Sequence, residues 1–442
     1  MPLPNIIYLH SHDTGRYISP YGHAIETPNL QKLAEGGLLF RQAFCAAPTC
    51  SPSRAALLTG QAPHSAGLIG LAHRGFRLND PTQHLATTLS NAGYHCALAG
   101  VQHVAAGEDI QKLGYHTIFE NKNCAEQNAV EFLNHASHTK GSRQPFFLDI
   151  GFNETHRTGS HFNRENGAPV QRGDGKYSGV PLHLPDNETT RADFADYAAS
   201  AKTLDEKYGQ VLEALERNGL SENTLVICTT DHGLAFPGMK CSLTDRGIGV
   251  LFILRGAGIP QGKICDSLMS QIDIYPTLCE LLEIEKPNWL QGQSLWPVIQ
   301  GQAREVNDAI FAEVTYHAAY EPQRCVRTPR WKYIRRFDER GKVVLPNCDD
   351  SPTKAWLLER GWANRPLPQE QLFDLWFDPQ EMNNLAGKKE AANALDEMRW
   401  RLDNWMESTN DPLLQGPVAP PRGAQINDPD GQSPNETPRT IE

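Results

Sequence analysis

The chain has 442 residues, too many for one compact hydrophobic core, so a large domain with a smaller companion is expected. Apolar residues make up 39% and charged residues 21%, which supplies a core and excludes global disorder. The balance of 41 Lys and Arg against 52 Asp and Glu, a net −11, excludes a nucleic-acid-coating role and requires any anionic ligand to find a local basic pocket.

The start, Met1-Pro2-Leu3-Pro4-Asn5, lacks the basic and apolar regions of a secretory leader, and no run approaches the roughly 18 apolar residues of a membrane span. Ten cysteines are scattered without CxxC pairs, the pattern of reduced thiols. A cytoplasmic protein with no membrane partner is expected. Short apolar runs at Ile6–Leu9, His95–Leu98, Phe146–Phe152, Leu225–Cys228 and Val250–Leu254 are bounded by Gly, Pro or polar residues, as buried parallel strands are. Helix-period segments separate them: Thr27–Leu39, Gln83–Asn91 ending at Gly93, and Asp196–Arg217 ending at Gly219. This alternation predicts an α/β fold, a large, mostly parallel sheet sandwiched by helices.

From about Pro287 the texture changes. Strand-like Ile310–Thr315, Cys325–Arg336 and Gln371–Phe377 precede one amphipathic helix, Lys388–Ser408, which reads as a smaller antiparallel sheet with a packing helix. Asp411–Glu442 holds seven Pro and few aromatics, the composition of an extended wrap or loose tail. The expected division is 1–300, 301–410 and 411–442.

Two strand ends carry carboxylates beside imidazoles. The first runs into His12-Asp13-Thr14-Gly15-Arg16, the later one into Thr230-Asp231-His232-Gly233. Side chains at the carboxyl ends of such strands face the ligand crevice, so His12, Asp13, Asp231 and His232 form a mixed N/O set suited to one divalent cation. Cys50-Ser51-Pro52-Ser53-Arg54, ahead of Ala55-Ala56-Leu57-Leu58-Thr59-Gly60, reads as a helix start. The helix N-terminus and Arg54 would both lower a thiol pKa at Cys50. The residues alone leave three readings open: an activated nucleophile, an anion pocket, or a buried cysteine at a helix start.

The segment Cys50-Ser51-Pro52-Ser53-Arg54 followed by Leu57-Leu58-Thr59-Gly60 resembles the Cys-x-Pro-x-Arg signature of the type I sulfatases, within the alkaline-phosphatase superfamily. The likeness covers nearly the whole chain, from Pro4-Asn5-Ile6-Ile7 through Gln291-Gly292-Gln293-Ser294-Leu295 to Asn383-Asn384-Leu385-Ala386. Among the branches, the surroundings of Cys50, Glu154-Thr155-His156-Arg157 and Phe236-Pro237-Gly238-Met239-Lys240 are most similar to heparan N-sulfatase.

The resemblance implies that 1–300 is the catalytic domain and that a formylglycine-generating enzyme converts Cys50 to formylglycine. The hydrated aldehyde would attack sulfur through one hydroxyl and expel sulfate through the other. Cys50 would then also be a metal ligand, with calcium or manganese as the ion, and two imidazoles favour manganese. Arg54 would hold the metal-bound hydroxyl, His156 would protonate the leaving group, and Lys240 would neutralise a sulfate oxygen.

Three departures stand out. His12-Asp13 replaces the usual Asp-Asp, and Asp231-His232 replaces Asp-Asn. Gly100-Val101-Gln102-His103 keeps the His103 of the family's Gly-Lys-x-His but puts Val101 where the lysine belongs. Arg16 is the candidate to replace that charge, and His317 is placed where a second domain supplies substrate contacts. The expected substrate is a sulfate ester or sulfamate on a glucosamine-type sugar. The rival readings are a phosphonate monoester or phosphodiester hydrolase on the same scaffold, and a sulfoglycan-binding protein without catalysis.

Overall fold

In the computed structural model, which describes residues 3–138, 144–162, 164–165, 168–169 and 173–442, eight strands form one sheet. They are β1 (Asn5–Ser11), β2 (Leu38–Phe40), β3 (His95–Gly100), β4 (Thr117–Ile118), β5 (Phe146–Gly151), β6 (Thr224–Thr230), β7 (Phe252–Arg255) and β8 (Lys263–Cys265). Their spatial order is β8-β2-β7-β6-β1-β5-β3-β4. β7 runs antiparallel to both neighbours, and the other pairs are parallel.

The strands are apolar on both faces because both are covered. Alternate residues of β1 enter two different cores, Ile6 and Tyr8 on one face, Ile7 and Leu9 on the other. Six helices supply the layers: α1 (Pro28–Glu35), α2 (Cys50–Thr59), α3 (Leu85–Asn91), α4 (Ala125–His138), α5 (Glu188–Arg217) and α6 (Ile274–Leu281). Leu57, Leu89 and Leu278 of α2, α3 and α6 pack on the first face, and Leu33, Leu133 and Leu204 of α1, α4 and α5 on the second. Each such buried side chain contributes about 1.5–3 kcal/mol.

The second sheet is an antiparallel meander of β9 (Ile310–Tyr316), β10 (Tyr320–Arg327), β11 (Trp331–Arg336) and β12 (Glu370–Asp374). Helix α7 (Ala392–Ser408) lays Leu395, Met398, Leu402 and Met406 against Val326, Tyr333 and Leu372. Among the described residues no helix is long and apolar enough to cross a membrane.

Several expected elements are redrawn. The helix expected over Thr27–Leu39 stops at Glu35, and Leu38–Phe40 becomes a strand. Gly37 permits the change, since a Cβ there would sit 2.3 Å from the Leu254 carbonyl oxygen of the paired strand. The stretch Cys325–Arg336 is the end of β10 and all of β11, joined by a turn at Thr328–Arg330. Helix α5 begins eight residues early because the Asn187 side chain accepts the Thr190 amide and caps it. After Asp411 the chain wraps rather than dangles. Asp411 is paired with buried Arg324 at 2.5 Å, the Asn427 amide donates to the Ala318 carbonyl at 2.8 Å, and Ala424 and Ile426 enter the first core.

Candidate active site

The ends of β1 and β6 lie side by side, and everything chemical is built from that. The Asp13 amide donates to Asp231 Oδ1 at 2.8 Å, and Thr14 N to Thr230 Oγ1 at 3.2 Å, tying the two strand ends together. Thr155 fixes the turn from a third direction. Its hydroxyl donates to the carbonyls of His12 and Asp13 at 3.0 and 3.1 Å. Asp13 is held at φ 54, a left-handed conformation that non-glycine residues adopt rarely and mostly at functional sites.

Asp13, Cys50, Asp231 and His232, all buried, present ligand atoms within 4.8 Å of one another, and His12 and His156 join Asp13 and Cys50 in an overlapping group. His232 Nε2 lies 3.3 Å from Asp13 Oδ1 and 3.8 Å from Asp231 Oδ2, and it is a buried nitrogen without a hydrogen-bond partner. Its other nitrogen lies 2.9 Å from the Gly233 carbonyl, which orients the free one inward. An orphaned imidazole nitrogen between two carboxylates fits a divalent cation. His12 Nδ1 stands 3.1 Å from Asp13 and 3.3 Å from Asp231, so it completes the donor set. Burial pushes His12 down to about 4, which keeps it neutral and available as a nitrogen donor. Burial alone would raise the Asp13 carboxyl, but Lys240, His156 and His232 hold it well below the usual range; His232 and Arg54 do the same for Asp231.

Cys50 opens α2, 4% exposed, with Sγ 4.0 Å from His12 Nδ1. One turn on, Arg54 is locked in place. It donates to Asp231 Oδ2 at 3.0 Å and to the Ser11 carbonyl at 2.9 Å, and it contacts the His10 ring, which Asp149 holds at 2.7 Å. The expected low thiol pKa at Cys50 is corrected: burial pushes it well above its ordinary value, outweighing Lys240 and Arg54. The helix N-terminus and the nearby cations favour an anion here, but a thiol without water pays more in lost hydration than they return.

Lys240 Nζ donates to Asp13 Oδ2 at 3.0 Å, lies 2.9 Å from Asp349 and stands 3.4 Å from His156 Nε2. Burial would lower this lysine, and Asp13 and Asp349 instead hold it well above its ordinary value, so it carries its charge. His156, with a side chain 37% exposed, is the most open of the group, on the side of the cavity. His103 Nδ1 lies 3.0 Å from His12 Nε2. A cavity of about 550 Å³ opens above, lined by Cys50, His103, His156, Lys240 and His317, with Val101 in its wall. His317 is buried, and its Nδ1 has no hydrogen-bond partner.

Arg16 is the expectation that fails. Its guanidinium donates to the Ala43 carbonyl at 2.7 Å and lies 4.4 Å from the Phe44 ring centre, in a different cavity. The cause is local. Asp13 and Gly15 both have positive φ, and the Gly15 amide and carbonyl are taken by His232 and Leu251, so the chain has turned away before Arg16. The cavity rim holds residues that sequence reasoning missed or left as surface polar groups: Asp349, Asp350, Arg74, His73, Pro434 and Asn435. Asn435 and Ser433 hydrogen-bond Asp350, while Arg74 donates to Asn427 and to the Pro434 carbonyl, so the last segment forms one wall. Asp349-Asp350 precedes a helix capped by Ser351, and so it reads locally as a helix approach.

The sulfatase family model matches residues 4–284, and the model described as N-sulphoglucosamine sulphohydrolase, C-terminal, matches residues 246–357. The human N-sulphoglucosamine sulphohydrolase is 28% identical, over 93% of this chain and 92% of its own length. An ulvan-active sulfatase of Formosa agariphila is also 28% identical, over 92% of this chain and 75% of its own. The solved structure of a 2-O GAG sulfatase superposes with a TM-score of 0.71 at 23% identity, covering 95% of each chain.

Proposed function

This chain belongs to the sulfatase family, and from that premise we propose that it hydrolyses a sulfamate or sulfate ester on a glucosamine-type sugar. The observation that carries the reading is the convergence of Cys50, Lys240 and His156 on a donor set with an unpartnered His232 nitrogen. His12, Asp13, Asp231 and His232 would hold a calcium or manganese ion, which supplies Lewis acidity at the sulfonyl oxygens. Cys50, converted to formylglycine by a generating enzyme, would place an oxygen nucleophile where the thiol stands.

The remaining work falls to side chains already in place. Lys240 neutralises charge developing on the transferred group, and Arg54, buried beside Asp231, would hold the attacking hydroxyl. As the S–N or S–O bond breaks, the electron pair goes to the leaving atom, and His156 supplies its proton. Sulfate would then leave by cleavage of the C–O bond at residue 50, carrying the attacking oxygen as its fourth, and water would rehydrate the aldehyde left behind. Asp349 supports a substrate with a donor beside the sulfonyl group: a carboxylate in an anion pocket repels the substrate unless it accepts a hydrogen bond from it, and a sulfamate N–H or a neighbouring hydroxyl is such a donor. A cytoplasmic location belongs to the same proposal, supported by ten cysteines that are all free thiols.

A second reading, phosphonate monoester or phosphodiester hydrolysis, is favoured by Val101 and by the imidazole at His232. Values of kcat/KM across N-sulfoglucosamine, 6-O-sulfated N-acetylglucosamine, an aryl sulfate and a phosphodiester decide between them. A sulfated glucosamine is expected first. Diester turnover above every sulfated sugar would overturn the proposal.

A further inference from the structure

A second cavity lies apart from the catalytic one. It measures about 1150 Å³ and runs between the β8 edge of the large sheet, the segment around Arg304, and the turns that follow β10 and β12. Its lining shares no residue with the catalytic cavity. Five cations line it, Arg16, Arg41, Lys263, Arg304 and Arg327, in a chain whose net charge is −11.

Their partners decide which are available. Arg16 and Arg327 form the floor, over the Phe44 ring at 4.4 and 4.5 Å, and the Nε of each is buried without a hydrogen-bond partner. Asp245 neutralises Arg327 at 3.2 Å but is shared with Lys332 at 2.9 Å, and Asp266 takes Arg41 at 2.5 Å. Lys263 and Arg304 are exposed at the mouth and have no ion-pair partner among the described residues. Glu305 lies in the same wall, so the lining as a whole remains positive. Trp376, 65% exposed, stands at the edge with Arg330 4.8 Å from its ring centre.

We propose that this groove binds a sulfated glycan chain at a site separate from catalysis. Unpaired cations at the mouth meet the sulfates, and the exposed indole gives a sugar ring an apolar face to stack on. Taking the glycan as sulfated rests on the sulfatase reading. The groove itself does not. A polyanion gains from several cations at once by releasing its counterions, so binding of this kind weakens steeply with salt.

The test uses the full chain with Cys50→Ala, which binds without turnover, titrated calorimetrically with a heparin-type hexasaccharide while N-sulfoglucosamine saturates the catalytic cavity. Lys263→Glu with Arg304→Glu should weaken binding at least about tenfold and flatten its salt dependence. Trp376→Ala should weaken it about threefold or more. On the Cys50 background, kcat/KM for the monosaccharide should stay within twofold in both variants. Hexasaccharide affinity unchanged by the charge reversal would overturn the proposal. Equal affinity for the desulfated hexasaccharide, or for a single-stranded oligonucleotide of matched charge, would overturn its assignment to sulfated glycans. Because calorimetry reads binding alone, a chain that cleaves diesters instead of sulfates would still report on the groove.

Discussion

The floor and the rim of the catalytic cavity are built on different principles. The floor is made from two strand ends, one helix start and the loop that carries Lys240: Asp13, Asp231, Cys50, Arg54 and Lys240 are all buried, and each is fixed by contacts at or near hydrogen-bond distance. The rim comes from loops of distant parts of the chain: Arg74 from a turn of the large-sheet domain, His317 and Asp349 from connections of the second sheet, and Asn435 from the C-terminal segment. Chemistry that must be positioned to a fraction of an ångström sits where backbone ladders hold it. Recognition of the sugar is left to segments that can vary without disturbing those ladders.

The sharpest way to break this division is at the nucleophile. Cys50→Ala should reduce turnover to background, a loss on the order of a millionfold, while the melting temperature moves by only a few degrees, because a small truncation at a helix start leaves the core intact. A matching loss of structure in circular dichroism would instead make Cys50 a packing residue. Next is the metal set. Asp231→Asn should lower bound divalent metal, read by elemental analysis, together with activity by more than about a hundredfold, beyond the 10–100-fold typical of residues that only orient a ligand. Asn keeps an oxygen acceptor for the Asp13 amide, so an unchanged unfolding curve with full metal content would argue against the cation site.

Lys240→Ala should lower kcat by about 10²–10³, or about 2.7–4 kcal/mol, on N- and O-sulfated substrates alike. Asp349→Asn is predicted to be selective. It should cost about tenfold in kcat/KM on a sulfamate, the lower end for a hydrogen bond to a charged group, and less than twofold on an aryl sulfate that lacks a neighbouring donor. Equal losses on both substrates would move Asp349 from the rim to the floor. The smallest effect belongs to Arg16→Gln, within about twofold on any small substrate, since its guanidinium points into the other cavity.

How far the sequence spoke follows the same line. Cys50, Asp13 and Asp231 were legible because each lies in a contiguous stretch whose residue types make chemical sense together at a strand or helix end, whereas Lys240, in a loop, came only from the family resemblance. The sheet was legible because strands covered on both faces must be apolar throughout, as Ile6–Leu9 is. Asp349 and Asn435 were not, because their positions depend on how the second sheet and the last segment fold back, and no local period encodes that. Arg16 misled for the opposite reason: nearness in sequence to Asp13 suggested nearness in space, and two left-handed residues undid it. The lowered thiol pKa failed because a motif carries its charges visibly but not its depth.

The depth of Cys50 has a consequence for timing. Every residue of α2 from Cys50 to Thr59 is buried, and the sulfur lies beneath the cavity with Lys240 and His156 beside it. A generating enzyme of the kind proposed would need to reach this side chain, and the finished fold leaves it 4% exposed. If Cys50 is converted as proposed, maturation and folding would compete for the same segment. On that proposal, a chain that folded before conversion would keep its native shape and an unconverted thiol. The active fraction of a preparation would thus record the rate of folding relative to the rate of conversion, and slowing the first should raise it.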